Sequence, residues 1–420
     1  MSALKALESL LQANGQLQAG EPFPLMPQDK LAGNIGYCVE NDAVVALSLR
    51  YCALDALPDS LDQLPNLQRL DVSGNQLTSL PECLGNLLQL KKLYVDHNQL
   101  TSLPASLGNL RHLEEIHLDA NQLASLPKNI GQLTNLTTLS VYGNQLVSVP
   151  ASLGQLVHLR EVSLGSNQLT SLPESLWQLT NLQLLNIAEN RLSFLSESIG
   201  NLTQLHTLDI GHNELTSLPA SLGKLSNLTF FLYMSNNHLT SLPDSLFENL
   251  HKLRYLNITE NHLTALPITI GNLADLHELR AYNNQLTALP DSLGMLTHLQ
   301  ELHLMNNQLA SLPNSIGNLK SLKELYLCNN KLTTLPNSLG NLARLTHLDL
   351  RNNRLMALPD SFSNLTHLTH LDLRGNRLTS LPAFIGDLPH LEKLDLRWNK
   401  LSSRPMWLGR LEQGGCTVFI

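Results

Sequence analysis

The amino-acid sequence predicts an α/β solenoid, in which short parallel strands form a concave sheet and short helical or 3-10 segments form the convex side. The motif LxxLxLxxNxL recurs at steps of 23 or 24 residues along most of the 420-residue chain. A proline-led apolar stretch, LPxSLGxLxxL, follows most copies of the motif. One such unit is too small to bury its own leucines, so successive units must stack to form a shared core.

The segment LxLxx of each unit predicts a β-strand, because two apolar residues alternate with exposed ones. The next strand arrives one unit later and therefore lies parallel to it. The asparagine that follows has an amide that both donates and accepts, so it can satisfy backbone groups where the chain turns. The asparagines with this spacing are Asn75, Asn98, Asn121, Asn144, Asn167, Asn190, Asn213, Asn237, Asn261, Asn284, Asn307, Asn330, Asn353, Asn376 and Asn399. Cys52 holds the same place in an earlier unit, which brings the total to sixteen units.

The return limb of each unit predicts a short helical segment. We place its prolines, such as Pro81 and Pro104, in the first turn of that segment, where a missing N–H is tolerated. Glycines such as Gly85 and Gly108 loosen the helix, which favours 3-10 geometry over a longer α-helix. Ser196 interrupts the proline series once.

The two ends of the chain predict caps, because a stack of strands otherwise leaves an open sheet edge. Residues 1–43 are interpreted as a helix followed by a hairpin with a tight Asn-Asp turn. Residues 44–411 hold the sixteen units, and residues 412–420 provide a last cap strand.

The units resemble leucine-rich repeats of the 23-residue intracellular type, LxxLPxxLGxLxxLxxLxLxxNxL, found in Ras-group adaptors and in bacterial Roco proteins. The resemblance covers residues 44 to about 411. It implies a leucine-rich repeat horseshoe. It says little about function, because the repeated leucines and asparagines are structural.

Composition excludes several classes of partner. The net charge of −8 gives no general attraction to nucleic acid or to anionic membranes. No apolar run approaches the roughly 18 residues that span a bilayer, and the N-terminal segment lacks the apolar core of a Sec-type signal. Five scattered cysteines favour free thiols. We therefore expect a cytoplasmic monomer, with a secreted effector that lacks a Sec-type signal as the alternative.

Catalytic and metal-binding motifs are absent from the sequence. It contains no phosphate-binding loop of the GxxxxGK[ST] type, no HExxH and no GxSxG. Most of the sixteen histidines repeat at a solvated position of the unit, without the spacing of a closed metal site. We therefore predict no enzyme activity, no cofactor and no metal.

The strand positions that face the concave side predict a partner-binding surface in the second half of the chain. Large or aromatic residues occupy these positions on five adjacent units, a composition typical of interface hot spots. They are Phe231, Tyr233, Tyr255, Tyr282, His303, Met305 and Tyr326. Glu278, Glu301 and Glu324 form an acidic column beside them. Simple packing of tyrosines on one another is the alternative interpretation.

A charged ladder follows in the last three units, where an Asp-Leu-Arg step recurs. Its members are Asp349, Arg351, Asp372, Arg374, Asp395 and Arg397. The array can neutralise itself, and exposed ion pairs contribute little stability. Two roles remain open: binding a partner, or a polar surface that resists edge-to-edge association.

The sequence thus predicts a non-catalytic scaffold for protein-protein interaction that binds a protein partner on its concave face. Two alternatives remain open at this point. The first is a secreted bacterial effector that binds a host protein. The second is a regulatory or recognition subunit of a signalling GTPase or kinase assembly.

Overall fold

The computed structural model describes residues 2–31 and 33–420. The chain forms two compact units, an N-terminal unit that ends at Leu205 and a C-terminal unit, His206–Ile420. Both consist of short parallel strands joined through 3-10 segments. The predicted fold class, a leucine-rich repeat solenoid, is confirmed.

The N-terminal unit begins with helix α1 (Ser2–Ala13) and the antiparallel strands β1 (Gly36–Glu40) and β2 (Ala43–Ser48). Asn41 and Asp42 connect the two strands with left-handed φ values of 48° and 60°, a conformation that these two residue types adopt readily. The predicted helix and hairpin are both present. The domain boundaries after residues 43 and 411 stay predictions.

The parallel strands of the N-terminal unit follow β2 in chain order. They are β3 (Arg69–Asp71), β4 (Lys92–Tyr94), β5 (Glu115–His117), β6 (Thr138–Ser140), β7 (Glu161–Ser163) and β8 (Leu184–Asn186). Each strand from β2 to β7 pairs with the next in parallel register.

The C-terminal unit contains a second series of parallel strands. They are β9 (Thr207–Asp209), β10 (Phe231–Tyr233), β11 (Tyr255–Asn257), β12 (Glu278–Arg280), β13 (Glu301–His303), β14 (Glu324–Tyr326), β15 (His347–Asp349), β16 (His370–Asp372), β17 (Lys393–Asp395) and β18 (Thr417–Phe419). Helix α2 (Leu408–Gln413) precedes β18, which pairs with β17 as the predicted last strand.

The core lies directly behind the strands. The middle residue of each repeat strand is buried, as at Leu279, Leu302 and Leu325, whereas its two neighbours remain partly accessible in most strands. Each buried leucine contributes roughly 1.5 to 3 kcal/mol relative to exposure. The alternation predicted from LxLxx is confirmed.

The repeated asparagines join neighbouring units, as the sequence predicts. The Asn307 Nδ2 donates to the carbonyl oxygens of Ala281 at 3.0 Å and Leu304 at 3.1 Å. Its Oδ1 accepts from the backbone N–H of Leu286 at 3.0 Å. One buried amide therefore satisfies backbone groups of its own repeat and of the preceding repeat.

The residue before each of these asparagines adopts a left-handed conformation, and in four successive units it is also asparagine. Asn283, Asn306, Asn329 and Asn352 have φ values of 53° to 57°. Their exposed amides form a ladder in which each Nδ2 donates to the Oδ1 of the preceding unit, at 2.5, 2.6 and 2.8 Å. At the start of this amide ladder, Asn283 donates to Glu260 at 3.4 Å.

The return limbs are 3-10 segments, but the prediction for their prolines was wrong in one respect. Pro104 lies immediately before the segment Ala105–Asn109, with extended backbone (φ −65°, ψ 146°), and not within its first turn. Ser196 occupies the same place before Glu197–Asn201, and its hydroxyl accepts from the Ser198 N–H at 3.1 Å. The serine thus occupies the place of the proline and, unlike proline, caps the segment with its side chain.

The repeated glycines have a different role from the predicted loosening of a helix. A Cβ built on Gly317 would lie 2.2 Å from the Ser338 carbonyl oxygen of the next 3-10 segment. Gly294 and Gly340 meet the next segment equally closely. At these three positions a side chain would clash with the next segment, because the neighbouring segments pack backbone to backbone.

Among residues 2–31 and 33–420, no helix combines the length and the apolar character needed to cross a lipid bilayer.

Candidate partner-binding surface

The strand face of the C-terminal unit is the surface formed by the outward side chains of β10–β17 and of the residues that follow each strand. Parallel register places equivalent residues side by side, so they form columns. The first column contains Phe231, Tyr255, Glu278, Glu301, Glu324, His347, His370 and Lys393. The third column contains Tyr233, Asn257, Arg280, His303, Tyr326, Asp349, Asp372 and Asp395. The fifth column, two residues beyond each strand, contains Ser235, Thr259, Tyr282, Met305, Cys328, Arg351, Arg374 and Arg397.

An aromatic cluster forms on β10 and β11. The ring of Phe231 lies 5.6 Å from Tyr233 and 5.6 Å from Tyr255, and these two tyrosine rings are 5.1 Å apart. Phe231 remains 41% exposed. Phe230, whose ring is 6.4 Å from that of Phe231, extends the cluster and is 47% exposed. Mutual packing thus leaves part of the aromatic surface open to contact.

The structure brings together some of the predicted aromatic residues and separates others. His303 and Tyr326 stack at 4.8 Å as a pair on β13 and β14. Tyr282 and Met305 are half-buried in the fifth column. Among the described residues, no ring contact joins the pair to the aromatic cluster. Phe230 was missed, although the adjacent phenylalanines in LTFFLY signalled it.

Arg280 connects the aromatic cluster to the acidic residues. Its guanidinium lies 5.6 Å from the centre of the Tyr255 ring and forms an ion pair with Glu278. Burial raises the pKa of Tyr255 to about 12. The Tyr255 hydroxyl therefore stays protonated at neutral pH and can donate a hydrogen bond.

The acidic column is present in the predicted order. Glu278 pairs in register with Glu301, and Glu301 with Glu324. His303 Nε2 lies 3.2 Å from the Glu301 carboxylate, and the Tyr326 hydroxyl donates to Glu324 at 2.7 Å. The Glu301 and Glu324 carboxylates thus have hydrogen-bond partners. Among the described residues, neither has a lysine or arginine within ion-pair distance.

The Asp/Arg ladder forms an interlocked network. The Arg374 guanidinium contacts Asp372 of its own unit at 2.6 Å and Asp395 of the next unit at 3.3 Å. Arg397 contacts the same Asp395 at 2.7 Å. The expected self-neutralisation is therefore present in the geometry.

Asp395, which the sequence predicts to contact a partner, is the most buried aspartate of the ladder. Its side chain is only 1% exposed, because Arg374 and Arg397 converge on its carboxylate. Arg397 in turn lies 4.9 Å from the centre of the Phe419 ring. At this end of the ladder the arginine side chains are open to contact with a partner, whereas the Asp395 side chain is covered.

Among the described residues, two groups of side chains bring three possible metal-ligand atoms within 4.8 Å of one another. They are Asp96, His117 and Asp119 in the N-terminal unit, and Glu278, Glu301 and His303 in the C-terminal unit. In the first group, Asp119 accepts from the Ser140 hydroxyl and the Tyr142 N–H, each at 2.7 Å. In the second group, Arg280 already provides a cation. We assign no metal to either group.

Comparison with known families finds matches along most of the chain. A family model described as leucine-rich repeat region matches residues 46–145, 245–331 and 322–413. Two further models, both described as leucine rich repeat, match residues 134–192 and 204–225. A comparison with curated protein sequences finds no match.

Several solved structures are similar to the chain. A leucine-rich repeat protein from Leptospira interrogans is 38% identical with a TM-score of 0.80, over 89% of this chain and 95% of that one. The plant peptide hormone receptor RGFR1 in complex with RGF2 is 27% identical with a TM-score of 0.61, over 89% and 77%. YopM from Yersinia enterocolitica is 27% identical with a TM-score of 0.55, over 85% and 83%.

Proposed function

Because the chain belongs to the leucine-rich repeat family, whose fold generally mediates protein-protein interaction, we propose that it is a non-catalytic scaffold. The strand face of the C-terminal unit, from Phe231 to Arg397, binds a protein partner. The fold class predicts that this face is concave, which lets side chains of several units reach one partner.

The partly exposed aromatic cluster is the observation that carries this proposal. Phe230 and Phe231 are 47% and 41% exposed in a continuous patch with Tyr233 and Tyr255. Exposed aromatic patches on water-facing surfaces mark interaction sites. Aromatic residues dominate interface hot spots, where a single truncation costs about 2 kcal/mol or more of binding free energy.

A similar structure supports a role for the repeats in binding. The plant receptor described above was solved in complex with RGF2. By analogy, we assign peptide or protein recognition to the present strand face. The predominant 23-residue step supports the intracellular repeat subtype.

The five cysteines support a reducing compartment, which is in keeping with a cytoplasmic location. All are free, and Cys38, Cys52, Cys328 and Cys416 are buried. Burial raises the pKa of Cys328 to about 11, so its thiol is unreactive at neutral pH. Following a tagged chain in cells and medium tests this assignment, and recovery from the medium would contradict it.

The proposed function is tested by changing Tyr233, Tyr255 and Tyr282 together to alanine. Partners captured by the tagged wild-type chain are identified by mass spectrometry and then titrated, purified, against the variant. We expect affinity to fall at least about tenfold, since two of these rings belong to the aromatic cluster.

A matched control changes Tyr51, Tyr94 and Tyr142 of the N-terminal unit to alanine and should leave the affinity unchanged. Far-ultraviolet circular dichroism establishes that both triple variants are folded. Equal affinity of the wild-type chain and the Tyr233/Tyr255/Tyr282 variant would overturn the proposed function.

A further inference from the structure

The first column of the strand face is sorted by chemistry along the C-terminal unit. It begins with two aromatic residues, continues with three acidic residues and ends with three basic ones. In order they are Phe231 and Tyr255, then Glu278, Glu301 and Glu324, then His347, His370 and Lys393. Each residue pairs in register with the next, so the three blocks follow one another on adjacent strands.

The acidic block retains charge for an external cation. Arg280 neutralises Glu278, but the hydrogen-bond partners of Glu301 and Glu324 are His303 and the Tyr326 hydroxyl. The Glu301 side chain is 39% exposed. A lysine or arginine of a partner can therefore approach these two carboxylates without displacing another lysine or arginine.

The basic block is equally available. The rings of His347 and His370 stack at 4.4 Å, and the Nδ1 of each lies 3.0 Å from the hydroxyl of the threonine that immediately precedes it. Among the described residues, the Nε2 atoms have no hydrogen-bond partner and Lys393 has no carboxylate within ion-pair distance.

A cavity of about 240 Å³ opens beside the basic block, where His347, His370 and Lys393 contribute to its lining together with Arg351 and Arg374. Asp349 and Asp372, which also line it, are paired with these arginines. The remaining basic groups are the Lys393 ammonium and two imidazoles that can take up a proton, so the cavity suits a carboxylate side chain.

We propose that the first column binds an extended segment of a partner protein whose side chains run in the order apolar, basic, acidic. The apolar part faces β10 and β11, the basic part faces β12–β14, and the acidic part faces β15–β17. This inference rests on the proposed function and specifies the partner of the same surface. Charge complementarity of this kind fixes register and excludes partners with the wrong order.

The dimensions set the length of the segment. Three adjacent strands span about 14 Å at roughly 4.8 Å per strand, and an extended chain covers this distance with about four residues. Every second residue of an extended segment faces the column. A twelve-residue peptide with threonine at alternate positions therefore presents two leucines, two lysines and two glutamates to the three blocks.

The test compares this matched peptide with a permuted peptide of the same composition in the order apolar, acidic, basic. The permuted order places like charges together in either chain direction. Fluorescence anisotropy at low salt should show at least about tenfold tighter binding of the matched peptide, and added salt should reduce the difference. Equal affinity of the two peptides would overturn the proposed order.

A charge-swapped protein provides the reciprocal test. Glu301→Lys, Glu324→Lys, His347→Glu and Lys393→Glu together should reverse the preference toward the permuted peptide. The matched control is Lys92→Glu with Glu115→Lys, which inverts an ion pair at the same strand position of the N-terminal unit. The control should keep the original preference, and an unreversed preference in the swapped protein would contradict the inference.

The two proposals fail in different ways. Loss of partner binding in the tyrosine triple variant, together with equal binding of both peptides, rejects the charge order and leaves the scaffold function intact. Retained partner binding in that variant rejects the proposed function itself.

Discussion

Each asparagine that follows a strand stabilises two neighbouring repeats at once. The Asn307 amide makes four hydrogen bonds to backbone groups of its own and the preceding repeat and is 7% exposed. Removing a buried hydrogen-bond partner leaves those groups unsatisfied, which costs more than the bond contributes. Removal of this side chain therefore destabilises the fold mainly because it leaves buried backbone groups without hydrogen-bond partners.

We expect Asn307→Ala to lower the free energy of unfolding by about 3 kcal/mol, because several buried backbone groups lose their partner. Urea unfolding monitored by circular dichroism measures the change. The adjacent Asn306 provides the control. It is exposed, its amide bonds only to side chains of the amide ladder, and glycine tolerates its φ of 53°. Asn306→Gly should cost less than about 1 kcal/mol, and an equal loss for both variants would contradict this account.

The burial of Asp395 shows why single residues are hard to assign from a sequence. Its position on a strand predicted exposure, and its register with Asp372 was predictable from the repeat. Its burial results from the convergence of two arginine side chains, one of them from the preceding unit. Side-chain convergence of this kind depends on rotamers, which the spacing of residues does not determine.

At the scale of the element, the 3-10 segments pack more closely than their sequence suggests. The close approach of Gly317 to the Ser338 carbonyl recurs at Gly294 and Gly340. A methyl group at such a position would push two neighbouring segments apart. The glycines thus determine the spacing of the return limbs and not their helical geometry.

Gly317→Ala should lower the free energy of unfolding by about 2 kcal/mol, because the added methyl overpacks the contact. Thermal or urea unfolding measures the loss. The control is Gly409→Ala in α2, where nothing lies within 4 Å of the new methyl. That change should be neutral or stabilising by about 0.5 to 1 kcal/mol, since alanine is the better helix former. Destabilisation by the control alone would reject the packing argument.

The elements were predictable because their causes are local and repeated. Alternating leucines determine the strands, and the hydrogen bonds of the asparagine amides follow from a repeat step of 23 or 24 residues. The proline position before each 3-10 segment and the close approach at glycine depend on how one segment meets the next. The ordering of the first column is also available from the sequence, since the residues at one position of successive repeats show it.

At the scale of the whole molecule, histidine is distributed unevenly. Twelve of the sixteen histidines lie in residues 206–420. Four ring pairs bring histidines of nearby units together there: His238 with His262, His277 with His298, His347 with His370, and His367 with His390. Protonation of both members places two positive charges side by side.

Acidification should therefore destabilise the C-terminal unit more than the N-terminal unit. Burial, and then the neighbouring His347, lowers the pKa of His370, while Lys393 lowers it further and Glu392 raises it. The unfolded chain binds a proton at His370 more readily than the folded chain does. The contribution of neutral His370 to the free energy of unfolding is therefore complete above about pH 6.5 and declines as the pH falls below that value.

Tryptophan fluorescence can follow the two units separately. Trp177 is buried in the N-terminal unit, whereas Trp398 and Trp407 lie in the C-terminal unit. Urea midpoints at pH 7.5 and pH 5.0 are compared in a Trp177→Phe variant and in a Trp398→Phe, Trp407→Phe variant. The midpoint reported by Trp398 and Trp407 should fall further, and His370→Gln should reduce that fall. A larger fall at Trp177 would contradict the prediction.

The amide ladder has a direction. From Asn352 to Asn283 every donor points toward the preceding unit, and the series begins at the carboxylate of Glu260. The amide dipoles are thus aligned head to tail, with their positive end on an anion. No single amide can flip without placing two donors or two acceptors face to face. The hydrogen-bond pattern therefore couples the orientation of the Asn352 amide to the Glu260 carboxylate four repeats away, and aligned hydrogen bonds of this kind polarise one another.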